Sequence, residues 1–171
     1  LDALDCYSHL GRKGLIIRDV SLEEIVGDAI GSLKEKGTSI VCAAKLPTVA
    51  CDPTLIHEVF LNLILNAVTY SDSAERKIEV GTVMGHPRAP GETVFYVKDH
   101  GIGIQEEYLE TVFRIFKRLH GREAYGGGIG AGLAFCEKII TLHGGKIWAE
   151  SKGQGAGTAF FFTLPQTRNA L

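Results

Sequence analysis

This chain has no long apolar run. Its longest apolar stretches, such as residues 59–65, are too short to span a bilayer and are broken by Asn62. It also has little excess of charge of either sign. A net charge of -2, with no concentrated basic patch, argues against a nucleic-acid partner. The four cysteines, Cys6, Cys42, Cys51 and Cys136, form no CxxC pair and sit in apolar patterns. They therefore read as reduced thiols of a cytoplasmic protein. The six histidines lack metal-ligand spacing, which speaks against a structural zinc site. Neither end resembles a secretory signal, and there is no internal repeat. The 171 residues, 45% hydrophobic, suffice for one well-buried core and are short for two, so one domain with a terminal appendage is expected.

Periodicity and punctuation give the elements. Residues 15–20 can be extended, and Ser21-Leu22-Glu23-Glu24 has the form of a capping box opening a helix that ends near Lys36-Gly37. Residues 38–43 are rich in strand formers. Asp52-Pro53 is the clearest helix start, an acceptor at the N-cap and a proline at the first helical position. From there Leu55, Ile56, Val59, Phe60, Leu63, Ile64, Ala67 and Val68 keep one apolar face, and Glu58, Asn62 and Asn66 line the opposite stripe. Strands over residues 77–84 and 93–98 flank an exposed loop, residues 86–91. Helices are expected over residues 106–119 and 131–142, with a polar glycine-rich stretch at 120–128 between them. Strands near 146–150 and 158–164 close the chain around a turn at 153–157. Hairpin-like pairs do not suit an all-parallel sheet, so the expected fold is an α/β sandwich: a mixed, mainly antiparallel sheet with helices on one face.

Three separated segments carry chemistry. Asn62 and Asn66 lie one helical turn apart; an amide oxygen is a hard ligand that suits Mg²⁺, which takes its other ligands from phosphates and water. Two such asparagines can equally satisfy buried backbone or face solvent. Asp99 follows the apolar run Val94 to Val97, and Gly101 and Gly103 let backbone approach a ligand closely. A carboxylate there accepts the exocyclic amine of adenine. Guanine presents an oxygen at the same place, and the unmade bond would cost about 1–3 kcal/mol, more for a charged group. A plain Asp-x-Gly turn after a strand is the simpler reading of the same residues. Gly128, Gly130 and Gly132 run straight into the apolar helix that begins at Leu133, and amides at such a helix start suit phosphate oxygens. This run is neither a dinucleotide fingerprint nor a P-loop, and a flexible linker is its alternative. Together the segments read as an adenine-nucleotide site.

In this order they resemble the ATP-binding catalytic domain of sensor histidine kinases. These form a branch of the GHKL ATPase superfamily, which also holds type II topoisomerases, heat-shock chaperone ATPases and mismatch-repair ATPases. The resemblance rests on an N box from His57 to Ser71, a first glycine box from Asp99 to Gly103, an F box from Val112 to Leu119 and a second glycine box from Gly128 to Leu133. The wording from Phe113 to Leu133 is most similar to the phytochrome-like bacterial kinases. The resemblance implies a Bergerat-type ATP-binding fold over residues 20–165, a remnant of the dimerisation and phosphoacceptor hairpin over 1–19, and a C-terminal tail over 166–171.

It further implies that Asn66 binds Mg²⁺, Asn62 assists at metal and phosphates, Tyr70 stacks on adenine and Asp99 reads its amine. Gly101, Gly103, Gly128, Gly130, Gly132 and Leu133 would line the nucleotide. Arg118 or Lys117 would reach the terminal phosphate, and residues 120–128 would form the ATP lid. Family members usually carry Lys where this chain has Thr69, which implies a lost phosphate contact. Chaperone and mismatch-repair relatives carry a water-activating glutamate where this chain has Asn62, so hydrolysis should be slow and the nucleotide kept for transfer to a protein histidine. Neither His9 nor His57 has the sequence context of that acceptor, which implies a histidine on a hairpin outside this chain. Implied partners are that hairpin, the sensor domains of the full-length protein and a cognate response regulator, with neither nucleic acid nor direct membrane contact. A degenerate nucleotide-binding regulatory module is the alternative, and a water-hydrolysing ATPase is the third reading.

Overall fold

The structure is a computed structural model that describes residues 10, 14–33, 38–71, 76–114 and 131–165. Among these, β1 (Arg18–Ser21) leads into α1 (Leu22–Ser32), followed by β2 (Thr38–Cys42) and β3 (Thr48–Cys51). Helix α2 (Pro53–Thr69) precedes the hairpin of β4 (Arg76–His86) and β5 (Ala89–Asp99). A 3-10 turn, Glu106–Tyr108, comes before α3 (Gly132–Leu142), and β6 (Ile147–Glu150) and β7 (Ala159–Thr163) complete the order.

The main sheet runs β2-β4-β5-β7-β6, with β2 parallel to β4 and every other pair antiparallel. This is the mixed, mainly antiparallel sheet expected. Strand alternation sends Ile78, Val80, Phe95, Val97, Phe160 and Phe162 into one core with Val26 of α1, Phe60 and Leu63 of α2 and Ile139 of α3. Phe162 is central to it, meeting Phe60 edge-on at 5.4 Å and lying 5.5 Å from Phe95. Strands β1 and β3 form a separate two-stranded antiparallel sheet, Arg18 opposite Cys51. The periodicity missed β3, whose four residues make a strand only because β1 lies beside them.

Helix α2 begins as its sequence dictates. Asp52 is the N-cap, and its Oδ1 accepts from the amides of Thr54 and Leu55. Its Oδ2 accepts from the amide of Ile16, so the same side chain ties down the segment before β1. The Asp52 amide donates to Nε2 of buried His143, whose Nδ1 lies 2.8 Å from the carbonyl of Ile139. The neutral imidazole with its proton on Nδ1 satisfies both contacts and joins the end of α3 to the start of α2. Replacing Asp52 by Ala should cost about 1–2 kcal/mol, the upper range for a lost N-cap. Thermal melting followed by circular dichroism checks this, and an unchanged midpoint would refute the capping role.

Several expectations are corrected. The Ser21–Glu24 capping box does not form: Ser21 takes the N-cap backbone conformation but makes no side-chain cap bond. Ser21 is the last residue of β1, opposite Thr48, and the neighbouring segment supplies the ties instead. There the Leu22 amide donates to Pro47 O, and Glu23 Oε1 accepts from the Leu46 amide. Helix α1 closes at Ser32, and the expected continuation over 34–37 lies outside the described residues. The helix expected over 106–119 is absent from its described part. One 3-10 turn and further tight turns run to Arg114, which lets the adjacent Val112 and Phe113 both enter the core.

The loop expected at 86–91 is also shorter than the sequence suggests. Only Pro87 and Arg88 form the turn, and Ala89 is fully buried. The far face of the sheet gathers Ala89, Val94 and Trp148 against Val83 and Phe161. The His86 ring sits 5.0 Å from Trp148 and 4.9 Å from Phe161, and the Arg88 guanidinium lies 5.5 Å over the indole. Glu150 accepts from Trp148 Nε1 and lies 3.1 Å from His86 Nε2. These rings recruit the hairpin tip onto the sheet, an arrangement invisible to a loop signal built on Pro and Gly.

Candidate nucleotide-binding site

Four elements meet at one end of the molecule. Helix α2 brings the N box, the end of β5 the first glycine box, the start of α3 the last residues of the second, and the β6–β7 connection closes the ring. Asn62 Nδ2 donates to the Glu58 carbonyl one turn back, which orients its amide. Its Oδ1 faces the start of α3, 2.8 Å from the point where a Cβ on Gly132 would stand. Gly132 begins α3 after Ala131, an N-cap whose side chain carries no acceptor for those first amides. Leu133 follows half-buried on the core. Asn66 is half-buried one turn beyond Asn62, and its carbonyl accepts from the Tyr70 amide at the helix end. Thr69 donates its hydroxyl to Leu65 O at 2.8 Å and so turns back onto its own helix.

Asp99 is 4% exposed at the tip of β5. Its Oδ1 accepts from the amides of Gly101 at 2.8 Å and Thr158 at 3.2 Å. Both of its side-chain hydrogen bonds to described residues fall on this oxygen. Burial raises the carboxyl above the ordinary range, against the lowering effect of the Gly101 and Thr158 amides and of His100. The loop after Asp99 packs directly on the end of α2, where the Ile102 amide donates to Tyr70 O. A Cβ at Gly101 would stand 2.1 Å from that same oxygen, so only glycine permits the approach. The backbone of Tyr70 thereby lies against the loop that follows Asp99.

The β6–β7 connection is the part that reading missed. Residues 153–157 look like a plain hairpin turn, yet their backbone is bonded to the loop after Asp99. The Gly155 amide donates to Ile102 O, the Gly157 amide to Gly101 O and the Asp99 amide to Thr158 O. Gly157 has φ 72°, and a Cβ there would stand 2.2 Å from Asp99 O. The available signal was the density of glycine facing a second glycine-rich loop. Lys117, Arg118, Gly128, Gly130 and the expected lid over 120–128 lie outside the described residues.

Burial, then the charge of Asp52, pushes Cys51 up to about 11, and burial raises buried Cys136 as well. Both thus stay protonated at neutral pH, while Cys42 is an exposed free thiol. Among the described residues no helix is long and apolar enough to cross a membrane.

A pocket assembled from an asparagine-bearing helix, a buried aspartate at a strand tip and a glycine-opened helix defines a class of ATP-binding domain. The chain belongs to the histidine kinase-, DNA gyrase B-, and HSP90-like ATPase family, whose model matches residues 51–168. Among its relatives, cyanobacterial phytochrome B of Nostoc sp. is 48% identical over 168 residues, covering 96% of this chain and 22% of that protein. The methanogenesis regulatory histidine kinase FilI of Methanothrix harundinacea is 37% identical over 165 residues, covering 91% of this chain and 18% of FilI. The solved catalytic domain of histidine kinase ThkA superposes with a TM-score of 0.70 at 26% identity, covering 89% of this chain and 97% of that one. This chain therefore has the fold of a histidine-kinase catalytic domain and spans about a fifth of the length of the two curated relatives.

Proposed function

We propose that this chain is the ATP-binding catalytic domain of a cytoplasmic two-component sensor histidine kinase, passing the γ-phosphoryl of Mg-ATP to a histidine on a dimerisation hairpin. In this reading residues 20–165 are the catalytic domain, 1–19 belong to the hairpin and its linker, and 166–171 form a tail. The observation that carries it is that one helix, α2, sets Asn62 against the start of α3 and, two turns on, Tyr70 against the loop after Asp99. Asp99 Oδ2 is the acceptor we assign to the adenine amine, with Oδ1 held by two backbone amides. Tyr70 flanks the base. Asn62 and the first amides of α3 hold phosphate oxygens, and Lys117 or Arg118 approach the terminal one.

Among the described residues no group of three His, Cys, Asp or Glu side chains could hold a metal alone. The available donor, an amide oxygen, fits Mg²⁺, a cation that takes most of its ligands from phosphate and water. Asn66 would hold it, and Asn62 would assist. When bound, Mg²⁺ neutralises charge on the phosphates being separated. Asn62 stands where a hydrolytic relative has its base; an amide does not take a proton from water, which favours transfer over hydrolysis. The acceptor hairpin, the sensor domains and a response regulator would be supplied by the longer protein and its partner.

Supplying the hairpin separately, with γ-labelled ATP and Mg²⁺, should yield labelled histidine on the hairpin and little free phosphate. A second reading is a nucleotide-responsive regulatory module, favoured by the inward-turned hydroxyl of Thr69. Tight ADP binding with no transfer either in trans or in the full-length protein would establish that reading instead.

A further inference from the structure

Resting on the adenine pocket proposed above, we infer that Ser151 is a positioning residue for Asp99 and thereby for base selection. Ser151 directly follows β6, half-buried, and touches no part of the expected nucleotide. Its hydroxyl is fully used. Oγ accepts from the Ile104 amide at 3.0 Å and from the Gly153 amide at 3.3 Å, and donates to Gly157 O at 2.7 Å. That is two lone pairs and one proton, the complete capacity of a serine.

These three bonds join the two segments that hold Asp99. Ile104 ends the loop that starts at Asp99, and Gly157 immediately precedes Thr158, whose amide grips Asp99 Oδ1. Beside the mutual bonds of Asp99 and Thr158, the remaining ties between the segments, Gly155 to Ile102 and Gly157 to Gly101, are backbone to backbone. They come from two glycine-rich stretches, the backbones that lose the most freedom on ordering. The Ser151 hydroxyl sets the spacing between them: a Cβ on Gly103 would stand 3.1 Å from Oγ and 2.0 Å from Gly153 O. Without that hydroxyl, two amides and one carbonyl lose their partner together. The turn before Thr158 is loosened, Thr158 is left to its mutual bonds with Asp99, and the carboxylate is held less firmly toward the base. Ser151 therefore acts through Thr158 and Asp99 on which purine is accepted.

The test is calorimetric titration of ADP and GDP into the unmodified chain, Ser151→Ala, Ser151→Thr and Val94→Ala, with a thermal melt of each. Ser151→Ala should weaken ADP about tenfold and narrow the adenine-over-guanine ratio, since fixed orientation is what makes the carboxylate discriminate. Ser151→Thr keeps the hydroxyl and should restore both affinity and ratio. Val94→Ala, in the cluster on the far face, should lower the melting point without changing the ratio. If Ser151→Ala does not fold, Ser151→Cys, with a weak donor and acceptor at similar volume, reads the same quantities. Ser151 variants that keep the parent affinity and ratio, or that lose ADP and GDP equally and only in step with their melting points, overturn the inference while leaving the pocket intact. An unmodified chain that binds no ADP overturns the pocket, and the inference with it.

Discussion

Asp99→Asn should reduce ADP affinity by roughly five- to 150-fold, equivalent to about 1–3 kcal/mol for a hydrogen bond turned into an unsatisfied contact. The geometry leaves the amide no good choice. If its oxygen keeps the Gly101 and Thr158 amides, its NH₂ meets the exocyclic amine of adenine donor to donor. If it flips, the NH₂ meets two backbone donors. The first orientation suits guanine, whose oxygen accepts from NH₂, so the adenine-over-guanine preference should shrink or reverse. Calorimetry with ADP and GDP decides it, and unchanged ADP affinity would remove Asp99 from the pocket. The same carboxylate sets a pH dependence. Burial raises its pKa, so the ionised acceptor is lost on acidification from above the ordinary carboxylate range. ADP binding should fall through that window. Folding stability moves the other way: a raised carboxyl pKa favours the folded state below the unfolded value, and that contribution disappears as pH rises through the folded one.

Gly101→Ala and Gly132→Ala should separate structural from functional glycine. At Gly101 the new Cβ would stand 2.1 Å from Tyr70 O and 2.9 Å from Tyr70 C, both backbone, so the first glycine box must leave the end of α2. Overpacking of this kind costs about 1–3 kcal/mol or more. At about 2–4 °C per kcal/mol for a chain of this size, the melting point should drop by roughly 5–10 °C. ADP binding should collapse as Tyr70 and Asp99 part. Among the described residues the only close neighbour at Gly132 is the end of the Asn62 side chain, Oδ1 at 2.8 Å and Cγ at 3.7 Å. Asn62 can rotate away, and alanine favours helix over glycine by up to about 1 kcal/mol. The melting point should hold or rise while nucleotide affinity falls, because the displaced group is the one assigned to the phosphates. Equal losses of stability in both variants would contradict the placement of Asn62 against α3.

Some of this was legible because its physics is local. The start of α2 follows from Asp52 accepting amides two and three residues ahead and from a proline that has no amide to satisfy. Its buried face follows from a 3.6-residue period. The site segments were legible for a related reason, since short stretches of asparagine, aspartate and glycine have few other uses in that order. Local signals failed where a second segment outbid them. The capping box at Ser21 satisfies its own rules, yet Pro47 and Leu46 provide the partners. The loop at 86–91 is polar and glycine-containing, yet Trp148 and Phe161 pull its ends into strands.

By itself the sequence determined the family, the sheet-and-helix composition and the residues Asn62, Asn66, Tyr70 and Asp99 as candidates, because periodicity, capping and ordered motifs depend on neighbours a few positions away. Only the tertiary structure decided that residues 153–157 bond to the loop after Asp99, that Thr158 holds Asp99 Oδ1 across 59 positions of chain, and that Ser151 spans both loops. Those contacts join residues far apart in sequence through backbone amides and carbonyls, which every residue type carries, so no pattern of side chains announces them.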